Sequence, residues 1–240
     1  MNPKPQQIRA LLTAIDSSFS SLSDVELSDL ISRSHAIRSP DSPISRWQDR
    51  IIEQLIPPHS SILDLGCGDG QLLAHLVSAR QVRGQGVELD PAAVMQCVAR
   101  GIPVFQSNLD AGLKGFADQS FDYVVLEETL QTLRRPLDVL REMLRVGRHG
   151  IVSFPNFGFW QVRFDLALRG TMPVTHCLPY RWYDTPNIHL FSLDDFLGCL
   201  PQLRATLLES HVLASDGIRP LQPSDNLFAQ EVLCILTAGD

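Results

Sequence analysis

With 240 residues, 44% of them apolar and 20% charged, the chain is long enough to bury one sizeable core and has an ordinary globular composition. Its formal net charge of −7 argues against a nucleic-acid partner held on a broad basic surface. The sequence has no apolar run of membrane-spanning length and no signal-peptide core. Its five cysteines form no C-x-x-C pair, so no membrane span, metal site or disulfide framework is expected and the location read is the cytoplasm.

Residues 1–45 read as a helical N-terminal extension to a domain spanning 46–240. Ile8, Leu11, Leu12 and Ile15 follow the spacing of one helix face, and Val25, Leu27, Leu30 and Ile31 suggest a second helix. Ser39-Pro40-Asp41-Ser42-Pro43 reads as a linker. These helices are expected to pad the domain or to support a homo-oligomer. Ser45 is placed to cap a helix whose Trp47, Ile51, Ile52, Leu55 and Ile56 share a face, and Pro57-Pro58 ends it.

Ile62 to Leu65 is a short apolar strand that runs into Gly66, Gly68 and Gly70, and Leu72, Leu73, Leu76 and Val77 mark the helix that follows. Glycine at alternate positions lets a ligand approach the backbone where a Cβ would block it. Further on, Glu88 ends a second strand, where an acidic side chain can bond both ribose hydroxyls. A dinucleotide site uses G-x-G-x-x-G, with the pyrophosphate on the helix N-terminus. Here the pattern is D-x-G-x-G-x-G, led by Asp64. That pattern resembles motif I of class I S-adenosylmethionine-dependent methyltransferases, whose ligand carries no phosphate.

Asp90 and Pro91 open the next helix and Gly101 closes it. Strands are expected over 103–105, 121–126 and 150–154, with a helix carrying Leu137, Leu140 and Leu144 between the last two. Arg134, Arg135, Arg141, Arg145 and Arg148 read as that helix's solvated face. Ser192 starts a late helix, and apolar runs at 203–208 and 232–236 supply closing strands, one of them antiparallel. Such β-α alternation demands a parallel sheet with right-handed crossovers. Ligands then sit beyond the strands' carboxyl ends, which gathers the glycine turn, Glu88, Asn108 and Glu127 around one crevice.

Residues 150–191 concentrate proline, aromatic, Asn and His residues with little helical periodicity, the mark of a functional ordered loop. The combination of ILDLGCGDG, VSFPNFG, MPV and LPYRWYDTPNIH is similar to the MetW family, associated with methionine biosynthesis; the likeness covers about residues 46–210. The resemblance implies a Rossmann-like α/β fold of the class I methyltransferase type, a mostly parallel seven-stranded sheet with helices on both faces. It implies S-adenosylmethionine or S-adenosylhomocysteine as cofactor and homoserine O-acyltransferase as protein partner. Two functions follow, an accessory cofactor-binding subunit or a catalytic methyltransferase acting on a small molecule.

Under the same resemblance, Asp64 lies near the methionine end of the cofactor, and Gly66, Gly68 and Gly70 give close backbone approach. Glu88 bonds the ribose, Leu89 flanks the adenine, and Asn108 and Leu109 occupy the adenine turn. Asn stands at 108 where Asp is usual, Glu127-Glu128 stands for the expected Ser-Gln, and Phe159 for His. Two carboxylates at a strand end raise one another's pKa, meet the cofactor's amino group, or act as a base. Asn156, Tyr183, Asp184 and His189 are the substrate or partner candidates in the loop block, and no catalytic residue is assigned. The absence of a G-x-S-x-G elbow argues that this chain is not itself the acyltransferase.

Overall fold

The computed structural model describes residues 46–239, with isolated positions 9, 10, 13, 20, 23 and 25 before them. The two N-terminal helices, the 39–43 linker and the Ser45 cap lie, as elements, outside the described residues. Helix α1 (Trp47–Leu55) leads into the sheet. Strand β1 (Ser61–Leu65) pairs in parallel with β2 (Arg83–Glu88) on one side and β4 (Phe121–Glu127) on the other. Outward from these lie β3 (Val104–Gln106) and β5 (Gly147–Pro155), also parallel. The chain therefore builds the sheet in both directions from β1, which opens a crevice at the carboxyl end of that strand.

Strand β8 (Ala229–Ala238) runs antiparallel to β5, and β6 (Ala205–Ala214) runs antiparallel to β8. An eighth strand, β7 (Gly217–Pro220), folds back on β6 and completes the order β3-β2-β1-β4-β5-β8-β6-β7. The seven expected strands are there with one added. The addition has a local cause, since only Ser215 and Asp216 separate the paired Ala214 and Gly217, and Gly217 takes φ +117, which glycine adopts freely. Strand β2 starts at Arg83, because Arg83 to Val87 pair residue by residue with Ser61 to Leu65.

Helices α2 (Gln71–Arg80), α3 (Pro91–Ala99) and α4 (Pro136–Val146) are the crossovers between parallel strands. Asp90 caps α3 by accepting from the Ala92 amide at 3.0 Å, and a reciprocal Ser192–Asp195 capping box starts α6 (Leu193–Leu203). Within the aromatic block, a single turn, α5 (Trp160–Phe164), widens into a π-type turn to Arg169, and α7 (Asp225–Phe228) precedes β8. Among the described residues no helix is long and apolar enough to cross a membrane.

Two apolar layers sandwich the sheet. On one face Ile52 of α1, Ile56 just after it, and Leu73 and Leu76 of α2 pack on Ile62, Val125, Ile151 and Leu233. On the other, Leu140 and Met143 of α4 and Phe196 of α6 pack on Leu63, Val124, Val152 and Val232. Strand side chains alternate between faces. Asp64 therefore shares a face with Ile62, Glu127 with Val125, and Glu231 with Leu233. Three carboxylates at one end of the sheet thus lie under α1, and all three are buried.

Candidate functional site

All three glycines of the turn have positive φ: Gly66 +75, Gly68 +54 and Gly70 +77. Their surroundings separate them. A Cβ on Gly66 would lie 2.6 Å from Thr129 Oγ1, and one on Gly70 would lie 2.9 Å from Cys97 Sγ. A Cβ on Gly68 would meet nothing within 4 Å. Gly66 and Gly70 thus serve internal packing, and Gly68 alone offers open backbone to the crevice. The Gly66 amide donates to Val87 O at 2.8 Å, which fixes the turn against β2.

Glu88 closes the other side. Its Oε2 accepts from the Gly68 amide at 2.9 Å, and its Oε1 from the Leu89 and Asp90 amides at 2.7 and 2.8 Å. A carboxylate has about four lone-pair positions, so three are taken and one, on Oε2, stays open. Leu89 is exposed and available to flank a flat ligand. Asn108 is exposed but caps a short turn, its Oδ1 accepting from the Asp110 amide at 3.0 Å. Leu109 is buried in the core, so at this position the backbone, not the side chain, is presented. Phe105, Asn108, Leu109 and Phe116 line a cavity of about 260 Å³ beside the β2 and β3 ends.

Under α1 the acidic residues meet. Arg46 Nη2 lies 3.4 Å from Glu127 Oε2, and its Nε lies 3.9 Å from Asp49 Oδ2. Asp49 and Glu127 touch each other, yet Asp49 Oδ1 and Glu127 Oε1 are buried with no N–H or hydroxyl donor in reach among the described residues. Two carboxyl oxygens share a bond only when one is protonated. Burial drives the acids up: Asp64 to about 7, Glu128 to about 8 with help from Glu231, and Glu127 well above the usual carboxylate range. Glu231 is occupied by Trp47 Nε1 and by Gln48 Nε2 at 3.0 Å, and Gln48 Nε2 also reaches Glu128 Oε1 at 3.3 Å.

Glu128 takes φ +51, a left-handed conformation that a non-glycine residue adopts at a cost. Hydrogen bonds hold it there: its amide donates to Ser153 O at 3.1 Å, and its carbonyl accepts from Gln131 Nε2 at 2.7 Å. Gln131 O in turn accepts from the Ile188 and His189 amides, both at 3.0 Å. The acidic turn is thereby fastened to the aromatic block.

The loop candidates separate in the structure. The buried Asn156 amide is fully engaged: its Oδ1 accepts from Gly158 and Leu193 amides at 2.9 and 3.0 Å, and its Nδ2 reaches three carbonyls of residues 225–229. It is a knot joining β5, α6 and α7, with no polar atom to spare for a substrate or partner. Tyr183 and Asp184 lie on an exposed turn, and Trp182 beside them is 75% exposed. His189 lines a cavity of about 230 Å³ with Leu137 and Phe196, on the α4–α6 side of the sheet away from Asp64 and Glu127. Arg46, Gln48, Asp49 and Glu231 belong to the acidic site and are absent from the sequence reading. Asp49 carried a signal, since it falls in the same stripe as the buried Ile52 and Ile56.

The structure is similar to a solved S-adenosylmethionine-dependent methyltransferase from Mesorhizobium loti, at a TM-score of 0.61 and 15% identity over 81% of this chain and 99% of that one. That likeness establishes the class I methyltransferase fold. The chain is 35% identical over 201 residues to the bifunctional methionine biosynthesis protein MetXA/MetW of Rhodopirellula baltica, covering 80% of this chain and 32% of that protein. It is 30% identical over 142 residues to a demethylmenaquinone methyltransferase of Bacillus licheniformis, covering 54% of this chain and 61% of that protein. The chain thus spans about a third of the length of the first relative and under two thirds of the second. The model of the family described as methionine biosynthesis protein MetW matches residues 46–236, and with most of its length so matched the chain belongs to the MetW family.

Proposed function

We propose that this chain binds S-adenosylmethionine and acts as an accessory partner of homoserine O-acyltransferase in methionine biosynthesis. The observation that carries the partnership is the Rhodopirellula protein, in which a MetW part and a MetXA part share one chain. Fusion keeps two modules at high effective concentration, as a working pair would require. We read the MetXA part as the acyltransferase. The exposed Tyr180, Trp182 and Tyr183 supply the surface for that partner, since aromatic residues so exposed suit a protein contact.

The residues present fit the cofactor. Gly68 leaves room for the ligand against the backbone, Glu88 keeps one acceptor position for a ribose hydroxyl, and Leu89 flanks the adenine. The orphaned oxygens of Asp49 and Glu127 suit a ligand that brings its own positive charge. When bound, S-adenosylmethionine would supply an electrophilic methyl group. Gln131 links the Glu128 turn to the 188–189 backbone, a route by which an occupied crevice could alter the partner surface.

A second reading, a catalytic methyltransferase, is favoured by Glu128. Its carboxyl, raised to about 8, exchanges its proton close to neutral pH at the end of β4, and once deprotonated it can serve as a base. The deciding measurement is homoserine acylation by the host's own acyltransferase, with and without this chain, at zero and saturating S-adenosylmethionine. Stimulation by the chain is the expected result. An acyltransferase that is fully active alone and indifferent to the chain would overturn the accessory role and leave the methyltransferase reading.

A further inference from the structure

We propose that the carboxylate floor beneath α1, built from Asp49, Asp64, Glu127 and Glu128, reads the positive charge at the reacting centre of an adenosyl ligand. The site then takes a sulfonium in preference to the neutral thioether left when the methyl group is gone. This rests on the adenosyl-ligand reading above and adds to it a basis for telling two forms of that ligand apart.

The geometry comes first. Strand alternation turns Asp64 and Glu127 to the same face, and α1 lowers Asp49 onto them. Asp49 and Glu127 are each more than nine-tenths buried, and each keeps one oxygen without a donor among the described residues. Arg46 is the cation that meets them, at 3.4 Å from Glu127 Oε2, and its side chain is half-exposed. Neighbouring Glu231 is already engaged by Trp47 and Gln48. A buried carboxyl without a donor either holds a proton or takes up a cation.

Every element around the floor adds to the same balance. Helix α1 contributes Arg46 and Asp49; α2 contributes His75, which is paired with Glu53 at 2.9 Å. Strand β1 contributes Asp64, with the Cys67 thiol next to it, and β2 contributes Glu88. Glu127 and Glu128 come from the β4 end, Glu231 from β8, and the Cys177 thiol from the loop block. Burial holds both thiols in the neutral form. With Asp64 raised to about 7 and Glu128 to about 8, the floor carries protons near neutrality. An arriving cation must displace them, so affinity for a cationic ligand rises as the pH passes upward through that range.

The test is calorimetry of the full chain with S-adenosylmethionine, S-adenosylhomocysteine and sinefungin, whose amine replaces the sulfonium. The amino-acid end and the adenosine are common to all three, so differences report the charge at the reacting centre. At about pH 8.5 the two cationic ligands should bind about tenfold or more tightly than S-adenosylhomocysteine, and the ratio should shrink at about pH 6. Buffers of different ionisation enthalpy should show proton release with the cations and little with the thioether. Glu127→Gln and Glu128→Gln should weaken the cationic ligands and leave S-adenosylhomocysteine unchanged. The pH comparison uses the unaltered chain, so it stands even if a variant misfolds. Equal, pH-independent binding of all three ligands overturns the charge inference alone. Binding by none of them at either pH overturns the adenosyl reading and the inference together.

Discussion

The three glycines of one turn make different demands, and substitution separates them. Gly66→Ala forces left-handed backbone on alanine and drives a methyl into Thr129 Oγ1, which is itself held by Glu127 O at 2.8 Å and cannot easily yield. Strain and overpacking together should cost about 2–4 kcal/mol in urea unfolding. Gly68→Ala meets open space and should cost only about 1 kcal/mol of stability. Its methyl projects into the crevice, so cofactor affinity should fall by about tenfold or more. Parent-like affinity in Gly68→Ala would show that the ligand does not approach this backbone. Glu88→Ala should weaken cofactor binding by roughly 2–3 kcal/mol, as for a lost charge-assisted bond. It should also lower stability, because Gly68, Leu89 and Asp90 lose an acceptor. Unchanged affinity by calorimetry would sink the ribose placement.

Elements gain their roles from what they are tied to. Helix α1 and its flanking residues cover the sheet with Ile52 and Ile56, and at its start Arg46, Gln48 and Asp49 lie over the acids at the strand ends. The aromatic block has little regular structure of its own, so Asn156 fixes its start. Asn156→Ala would strand the buried Gly158 and Leu193 amides and the Ala229 carbonyl. Unmet groups of this kind cost about 1–3 kcal/mol each, so a total loss of about 3 kcal/mol or more is expected in chemical denaturation. A neutral outcome would mean that the block is held by its apolar contacts instead. Trp182→Ala with Tyr183→Ala should abolish support of the acyltransferase while calorimetric cofactor binding stays intact. Retained support would move the partner contact elsewhere.

At the scale of the molecule, acids with opposite displacements set the pH dependence. Asp64, Glu127 and Glu128 are raised by burial, so the folded state binds more protons than the unfolded one above the ordinary carboxylate range. Stability therefore falls as the pH rises from about 4 through 8. Asp122, Asp195 and Glu142 are lowered, the first two by hydrogen bonds from Ser61 and Ser192 and the third by Arg145. Their contribution is present at neutral pH and disappears as the pH falls through their depressed values. Thermal melts should thus give a higher Tm at about pH 5.5 than at about pH 8.5. A Tm that climbs across this interval would contradict proton storage in the floor. Along α4 the basic charge is largely met, because Asp138 pairs with Arg135 and Arg141, and Glu142 and Asp118 pair with Arg145; Arg148, expected on the same helix face, lies in β5 instead.

The β-α order, the glycine turn and Glu88 were legible because each depends on local spacing: a strand end, a positive-φ turn and a second strand end in register. The Asp90 cap and the Ser192 box were legible for the same reason, and the short turn between β6 and β7, followed by Gly217, could have been. The acidic floor was legible only in part. Glu127 stood out at a strand end, but Glu231 lies in a strand buried on both faces, where no polar alternation marks it. Its partner Trp47 is 184 positions away in the chain. Asp49 had the helical spacing of a buried position, but only the packing of α1 on β4 shows what it faces. The sequence by itself determined the fold class and the turn that a ligand would approach. Tertiary structure alone decided which carboxyls lose water and meet one another, because burial and neighbouring charge set a pKa and both depend on contacts between distant segments.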